Sequence, residues 1–445
     1  MSINLLEQLA EPINRRQAWI DRYQRFISVV ATFLFFSDIP DYLHAAPLLP
    51  IVPLIWIYIL FFLSLPYIHK VKTIPKPLLM WMAIYLLIST LSLMTVSSDE
   101  VSFTDYRAKV LSVLFIATMY ANYQQKSLEH IKYTILAVVL MTIGNNMIEL
   151  LNPKIFSELN VGRPAGFYID PNKTGCALML GMLFAINTIK KSHRGLFVLI
   201  VGIGIMATFS RGAILGWVIC VAILIAGRVL SDRRRQIILP AIALIFILIT
   251  VNPLQTLTDY FKGTNTAGSN YDIVKRLEEF QNPSSKEESA AARQGVATGA
   301  WLMFGSHPLW GNGLASTRKW MVADVSTHNM YLYYMADHGI LGVIFLPGAI
   351  WAVVYRNRGE ERTIIICFAF FVGLWGLFSH EVLAERYTLS SFALLAAMNT
   401  NQKWYLKYAN RNSHLVPPLR SKQLMLPPAS DKKAISQLTI NRHHK

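Results

Sequence analysis

Four side chains suited to holding an anion and moving a proton stand at the edges of apolar runs: Arg163, Arg211, Arg293 and His328. In "STHNMYLYYMADHGILGV", Ser326 to Val343, a histidine and an asparagine sit at the mouth of a long apolar stretch. A guanidinium presents a planar fork of donors that matches phosphate oxygens, and it stays charged when desolvated. An imidazole titrates near neutral pH and can take a proton from a hydroxyl. Together they suit the stabilisation of a phosphate or pyrophosphate leaving group while a hydroxyl attacks the carbon beside it. Asn329 can orient the imidazole or bind substrate, and His380, Glu381 and Arg386 form a secondary group. The structural alternatives are a rim histidine bonded to backbone, a snorkelling or helix-pairing arginine, and a loop arginine with a surface role.

The elements that must position these residues are membrane spans. Of 445 residues, 53% are hydrophobic and 15% charged, against about 25% charged in soluble proteins, and mean hydropathy is +0.37. The apolar residues fall in many runs near the length that crosses a bilayer as helix. The fold class is therefore all-α, a polytopic integral membrane protein with about twelve transmembrane helices. The spans lie roughly at 24–42, 47–67, 78–96, 107–123, 131–150, 173–189, 195–210, 211–230, 236–251, 329–355, 363–380 and 386–400. The pair meeting near Ser210 reads either as two crossings or as a tight re-entrant turn.

Charge assigns the sides. The formal net charge of +16 would suit nucleic acid, but its cations occupy short connections and the C-terminal tail, where orientation in the bilayer explains them. Alternate loops carry Arg15, Arg16, Arg22 and Arg25; Lys70, Lys72 and Lys76; Lys126 and Lys132; Lys190, Lys191 and Arg194; Arg228 and Arg233–Arg235; and Arg356, Arg358 and Arg362. The tail after residue 400 adds nine Lys or Arg against Asp431 alone. On the other side "SSDEVSFTDYR" holds three acids, and 251–327 balances seven basic against seven acidic residues. Both termini are thus expected in the cytoplasm, with the polar, basic first 25 residues read as an N-terminal segment rather than a cleavable signal. Arg163, Arg211, Arg293 and His328 all fall on the outer side, and outer arginines run against the usual bias.

The organisation expected is a cytoplasmic N-terminus (1–23), a first bundle segment (24–250), one long outer loop (251–327), a last bundle segment (328–400) and a basic, proline-broken cytoplasmic tail (401–445) with affinity for anionic membrane lipid. Within the loop, "SNYDIVKRLEEF" and "SAAARQGVATGAWLMFG" carry helical patterning, which should stop before "GSHPLWGNG". Such a segment can cover an outer cavity or serve as a structural cap. Cys176, Cys220 and Cys367 lie in apolar runs and read as buried hydrophobes. "GIGIMATFSRG" lacks the strand and lysine of a nucleotide loop, so its glycines read as helix-packing residues. No HExxH-like spacing or outer DxD-like pair occurs, so neither a metal nor another cofactor is expected.

Four segments resemble the O-antigen ligase and polymerase superfamily of bacterial envelopes: "GRPAGFYIDPN" (162–172), "TFSRGAILG" (208–216), "ARQGVATGAWLMFGSHPLWGNGL" (292–314) and "HNMYLYYMADHGILG" (328–342). Each is weak alone; their order, and the long loop between the second and third, make the resemblance. It implies a metal-independent, inverting, GT-C-like glycosyltransferase of the bacterial inner membrane with a periplasmic active site. The donor implied is an undecaprenyl-pyrophosphate-linked glycan. The acceptor is lipid A-core for a ligase or a second carrier-linked glycan for a polymerase. By this resemblance His328 matches the catalytic histidine, Arg211 and Arg293 match pyrophosphate-binding arginines, and Arg163 matches a further arginine of the pattern. The ligase is the first expectation. Polysaccharide polymerisation, protein O-glycosylation and a transporter of lipid-linked glycans are the alternatives, the last disfavoured because the unexplained charges collect at one rim.

Overall fold

The computed structural model describes residues 3–69, 74–95, 99–125, 127–152, 155–156, 163–230, 288–320, 327–355 and 361–412, with backbone alone for 3–15, 288–293 and 401–412. These residues form helices and turns, with no strand among them. The expected ninth span (236–251), the "SNYDIVKRLEEF" helix and most of the tail lie outside the described residues.

The first helices are α1 (Ile3–Phe36) and α2 (Ile39–Ala45), separated by a break at Asp38, whose φ is 58°. Next come α3 (Pro53–Ile68), α4 (Lys76–Met94), α5 (Glu100–Tyr123) and α6 (Glu129–Leu151). They are followed by α7 (Pro171–Ala185), α8 (Arg194–Ala207) and α9 (Arg211–Ala226). The long loop contributes α10 (Glu288–Ser306) and α11 (Ser316–Trp320). The last part holds α12 (Met330–His338), α13 (Phe345–Val354), α14 (Arg362–Trp375) and α15 (Arg386–Asn412). Residues 402–445 separate as a unit of their own, described only as the helical end 402–412.

Among the described residues, three segments are long and apolar enough to cross a membrane: Lys76–Met94, Glu129–Leu151 and Met330–Val354. The pair Arg16–Phe36 and Ile39–Ala45, bent by 52°, makes a fourth if it is one span. Pro53–Ile68, Arg194–Ala207, Arg211–Ala226 and Arg362–Trp375 are apolar but shorter. The run around Ser210 therefore resolves into two distinct helices, of about 21 and 24 Å, joined at Thr208–Ser210. Phe209 takes the left-handed backbone (φ 52°) that a turn this tight demands.

Helix α7 is the central post, buried along nearly its whole length. Its small residues allow the crowding. A Cβ on Gly175 would lie 2.6 Å from the Ala213 methyl, and one on Gly181 would lie 2.3 Å from Val139. Close helix approach through glycine is the packing expected where lipid removes the hydrophobic drive between helices. All three cysteines are free and buried, and Cys220 and Cys367 face each other between α9 and α14.

Helix α10 ends at Ser306, where the Gly/Pro-rich segment was expected to stop it. That segment then docks on the end of α12. Gly313 N–H donates to Asp337 O (3.0 Å) and Ile340 N–H to Pro308 O (2.8 Å). The fully buried Asp337 carboxylate accepts from Ala315 N–H, Ser316 Oγ, Thr317 N–H and Thr317 Oγ1. A Cβ on Gly311 (φ 74°) would lie 2.4 Å from the Asp337 backbone, and one on Gly339 (φ 65°) would lie 2.5 Å from the Leu309 backbone.

Gly339→Ala is expected to lower the midpoint of thermal unfolding in detergent, since a left-handed non-glycine residue alone costs roughly 1–3 kcal/mol before the overlap with the Leu309 backbone. Gly305→Ala, on a helix with nothing within 4 Å, is expected to leave the midpoint unchanged or raise it by helix propensity. Equal midpoints for the two variants would contradict this account of the junction.

Candidate functional site

One end of the bundle gathers segments that are distant in sequence. The turn carrying Arg163 is fixed from below. The buried Glu149 carboxylate on α6 accepts from Ala165 N–H (2.8 Å) and Gly166 N–H (2.7 Å), and Thr174 Oγ1 donates to Ala165 O (2.7 Å). Arg163, half-buried, then reaches the α8–α9 turn, where its Nη2 donates to Thr208 O (3.2 Å) and to Asn172 Oδ1 (3.4 Å). Arg211 opens α9 immediately after that turn.

His328 is held by the start of α12. Asn329 is the N-cap, its Oδ1 accepting from Leu332 N–H (3.1 Å), which satisfies one of the donors a helix start leaves open. Its carboxamide oxygen therefore anchors the start of α12 next to the histidine. Met330 N–H donates to Gly376 O (2.8 Å) and Tyr331 OH to Gly373 O (2.8 Å), seating the first turn of α12 on the last turn of α14. His328 itself has φ 46°. A non-glycine residue held in this region costs energy and persists where surrounding contacts fix it, often at functional sites.

These pieces enclose a cavity of about 560 Å³. Arg163, Asn172, Ser210, Arg211, His328 and Asn329 supply its polar wall, while Leu215, Trp375, Leu377 and Phe378 supply an apolar one. Gln294 and Ala297 of α10 and Thr327 complete it. Three helix starts converge here, at Asn172, at Ser210–Gly212 and at Asn329. Each start adds partial positive charge to that of the arginines. The cavity is thus electropositive and amphiphilic, suited to a phosphate-bearing head with an apolar chain.

Arg163, Arg211, His328 and Asn329 are brought together. Arg293 precedes Gln294 on α10, but its side chain lies outside the described residues. His380 lies behind His328, their ring centroids 5.9 Å apart at 82°. Burial pushes the His380 imidazole down to about 4; Glu381 opposes this, while His328, Arg318 and Lys173 add to it. Glu381 is bound to Lys173 (3.1 Å), which also reaches Glu385 (2.8 Å). Burial raises the Glu381 carboxyl, yet Lys173 and His380 outweigh it and hold the group well below its ordinary range. Arg386 belongs to a different contact. Its guanidinium pairs with Asp38, 3.7 Å away, and with Asp41 at the α1–α2 break. Among the described residues no three His, Cys, Asp or Glu side chains are grouped to hold a metal ion.

Sequence reasoning missed Asn172, Gln294 and the aromatic wall of Trp375 and Phe378. The only signal for the wall was aromatic residues closing an apolar run, which occurs elsewhere in the chain.

A family model described as O-antigen ligase matches residues 196–346. That span contains the Arg211, Arg293 and His328 positions. No curated protein and no solved structure matches the chain.

The depressed His380 value has a sign that can be tested. A folded value of about 4 below the usual about 6.5 means that the fold favours the neutral ring. That contribution is full above about pH 6.5 and is lost as the pH falls toward about 4. The wild-type melting midpoint should therefore fall more steeply across this window than that of His380→Gln. Parallel pH profiles would show that His380 is not held neutral.

Proposed function

We propose that this chain, whose residues 196–346 match a family model described as O-antigen ligase, is a membrane glycosyltransferase carrying out a single displacement reaction on the periplasmic face of the inner membrane. The donor is an undecaprenyl-pyrophosphate-linked glycan and the first-choice acceptor is lipid A-core. The observation that carries this reading is the convergence of Arg163, Arg211 and His328 on one half-apolar cavity.

The pyrophosphate lies against Arg211 and Arg163, near the stretch of α10 that carries Arg293, and the polyprenyl chain leaves over the Leu215, Trp375 and Phe378 wall. His328 removes the proton from the acceptor hydroxyl, and the oxygen attacks the anomeric carbon from the face opposite the pyrophosphate. The new carbon–oxygen bond forms as the bond to the phosphate oxygen breaks. The departing electron pair stays on the carrier pyrophosphate, where the arginines and the α9 start stabilise it. The configuration at the anomeric carbon inverts. The phosphoanhydride makes the leaving group good enough that the site needs no metal ion to assist it. His380, neutral and packed edge-to-face on His328, limits the imidazole to orientations facing the cavity. Both termini then lie in the cytoplasm, in a bundle of about twelve spans.

The test is release of polyprenyl pyrophosphate by protein reconstituted in lipid, with a synthetic carrier-linked glycan, candidate acceptors and EDTA. His328→Ala is expected to lose about 10²–10⁴-fold in turnover, the usual worth of a general base. Arg211→Lys is also expected to fall sharply, because a lysine cannot reproduce the bidentate fork. A single transfer to lipid A-core identifies a ligase, and a ladder of products identifies a polymerase. Full release by His328→Ala would remove the imidazole as base, and release abolished by EDTA would overturn the metal-free reading.

A further inference from the structure

The opposite end of the α8–α9 pair holds a second cavity, of about 390 Å³. It is built where α8 begins, at Arg194, and where α9 has ended, at Gly227 and Arg228. The volume is in the range of about 300–1,000 Å³ common for small-ligand sites. Three cations from two segments of the chain line it: Lys191 and Arg194 from the turn into α8, and Arg228 from the end of α9.

The cavity is shaped by specific contacts. Arg194 is half-buried, with Nε donating to Ile189 O (3.1 Å) and Nη1 to Val229 O (3.2 Å). This ties the turn before α8 to the segment after α9 and fixes one guanidinium in the wall. Arg228 has left-handed backbone, φ 56°, and is exposed. Gly227 permits the close approach of α14, since a Cβ there would lie 2.3 Å from the Thr363 side chain. The one carboxylate among the described lining residues, Glu361, is bonded to Lys132. Its charge is therefore answered from outside the cavity, and the three cations are left in excess.

Cations collected at one membrane side are explained by orientation when they are spread over a solvated surface. Two features here go beyond that explanation: a concave site, and a guanidinium locked by two carbonyls at its wall. Basic pockets between transmembrane helices are the recognised form of a site for phosphate headgroups. The geometry points to a binding site for an anionic phosphodiester, the headgroup of a membrane lipid, at the end of the bundle opposite the candidate active site. Arg194 and Arg228 would hold the phosphate oxygens, with Lys191 as a further point charge.

The test uses the full-length protein, delipidated in detergent and titrated with phosphatidylglycerol while bound lipid is counted by native mass spectrometry. One saturable site is expected, with affinity reduced about tenfold or more in Lys191→Gln/Arg228→Gln by loss of two charge-assisted contacts. Lys190→Gln removes the same kind of charge one residue outside the cavity and should change affinity by less than about twofold. Competition by glycerol phosphate at micromolar concentration would keep the phosphate site but make its source a soluble ester. An equal loss in Lys190→Gln, or no saturable binding of either probe, would overturn the site.

Discussion

Much of the candidate site hangs on the seating of one helix start on one helix end. The Met330 N–H bond to Gly376 O and the Tyr331 OH bond to Gly373 O set the beginning of α12 against the close of α14. Asn329 then caps the same turn, so the residue before it, His328, has little freedom left and adopts a left-handed backbone. Helix α14 also packs along α9, where Gly216 brings the Phe371 ring so near that a Cβ would lie 2.6 Å from it. The histidine and the α9 start bearing Arg211 are thereby referred to the same helix. In the proposed reaction the imidazole and the guanidinium must hold their relative position to be useful, and α14 is the element common to both.

The other charged groups are arranged to make this rim tolerable in an apolar bundle. Asp105 and Lys109 are buried as a pair 2.6 Å apart, with Tyr333 OH donating to the carboxylate and Arg318 3.6 Å from it. Lys173 lies between Glu381 and Glu385, and Arg386 pairs with Asp38 and Asp41. Removing one partner from the buried Asp105–Lys109 pair leaves an uncompensated charge, which costs far more than the pair contributes. These contacts also tie α11 to α5, the start of α7 to the segment before α15, and the start of α15 to the α1–α2 break. Their stabilising and positioning roles are inseparable.

The sequence was most informative where one residue type departs from its surroundings. Arg211 between two apolar runs, His328 before another, and the helix stop at the segment Gly305–Gly313 were legible because periodicity and breaker residues report local structure directly. The gathering of Arg163, Arg211 and His328 was legible because alternate crossings sort loops to sides. What depended on distant partners was not legible. Arg386 looked available for the site until its acids proved to lie at positions 38 and 41. The capping role of Asn329 was not legible either, because a cap is identified by an N–H three residues on, which the sequence only permits. Lys173 was read as part of a span end and is the counter-ion of Glu381. Hydropathy also overstated helix length: α8, α9 and α14 run 14, 16 and 14 residues, because small residues and turns shorten them without interrupting the apolar run.

The most direct test of the account is the location of a carrier-linked glycan in the protein. The protein would be embedded in a lipid nanodisc with a non-cleavable phosphonate analogue of the polyprenyl-pyrophosphate donor and imaged by electron cryo-microscopy. The account predicts pyrophosphate density within hydrogen-bonding distance of Arg211 and Arg163, the anomeric carbon facing His328 and the polyprenyl chain along Trp375 and Phe378. Pyrophosphate density bound elsewhere, with the His328 cavity filled only by water or lipid, would contradict it.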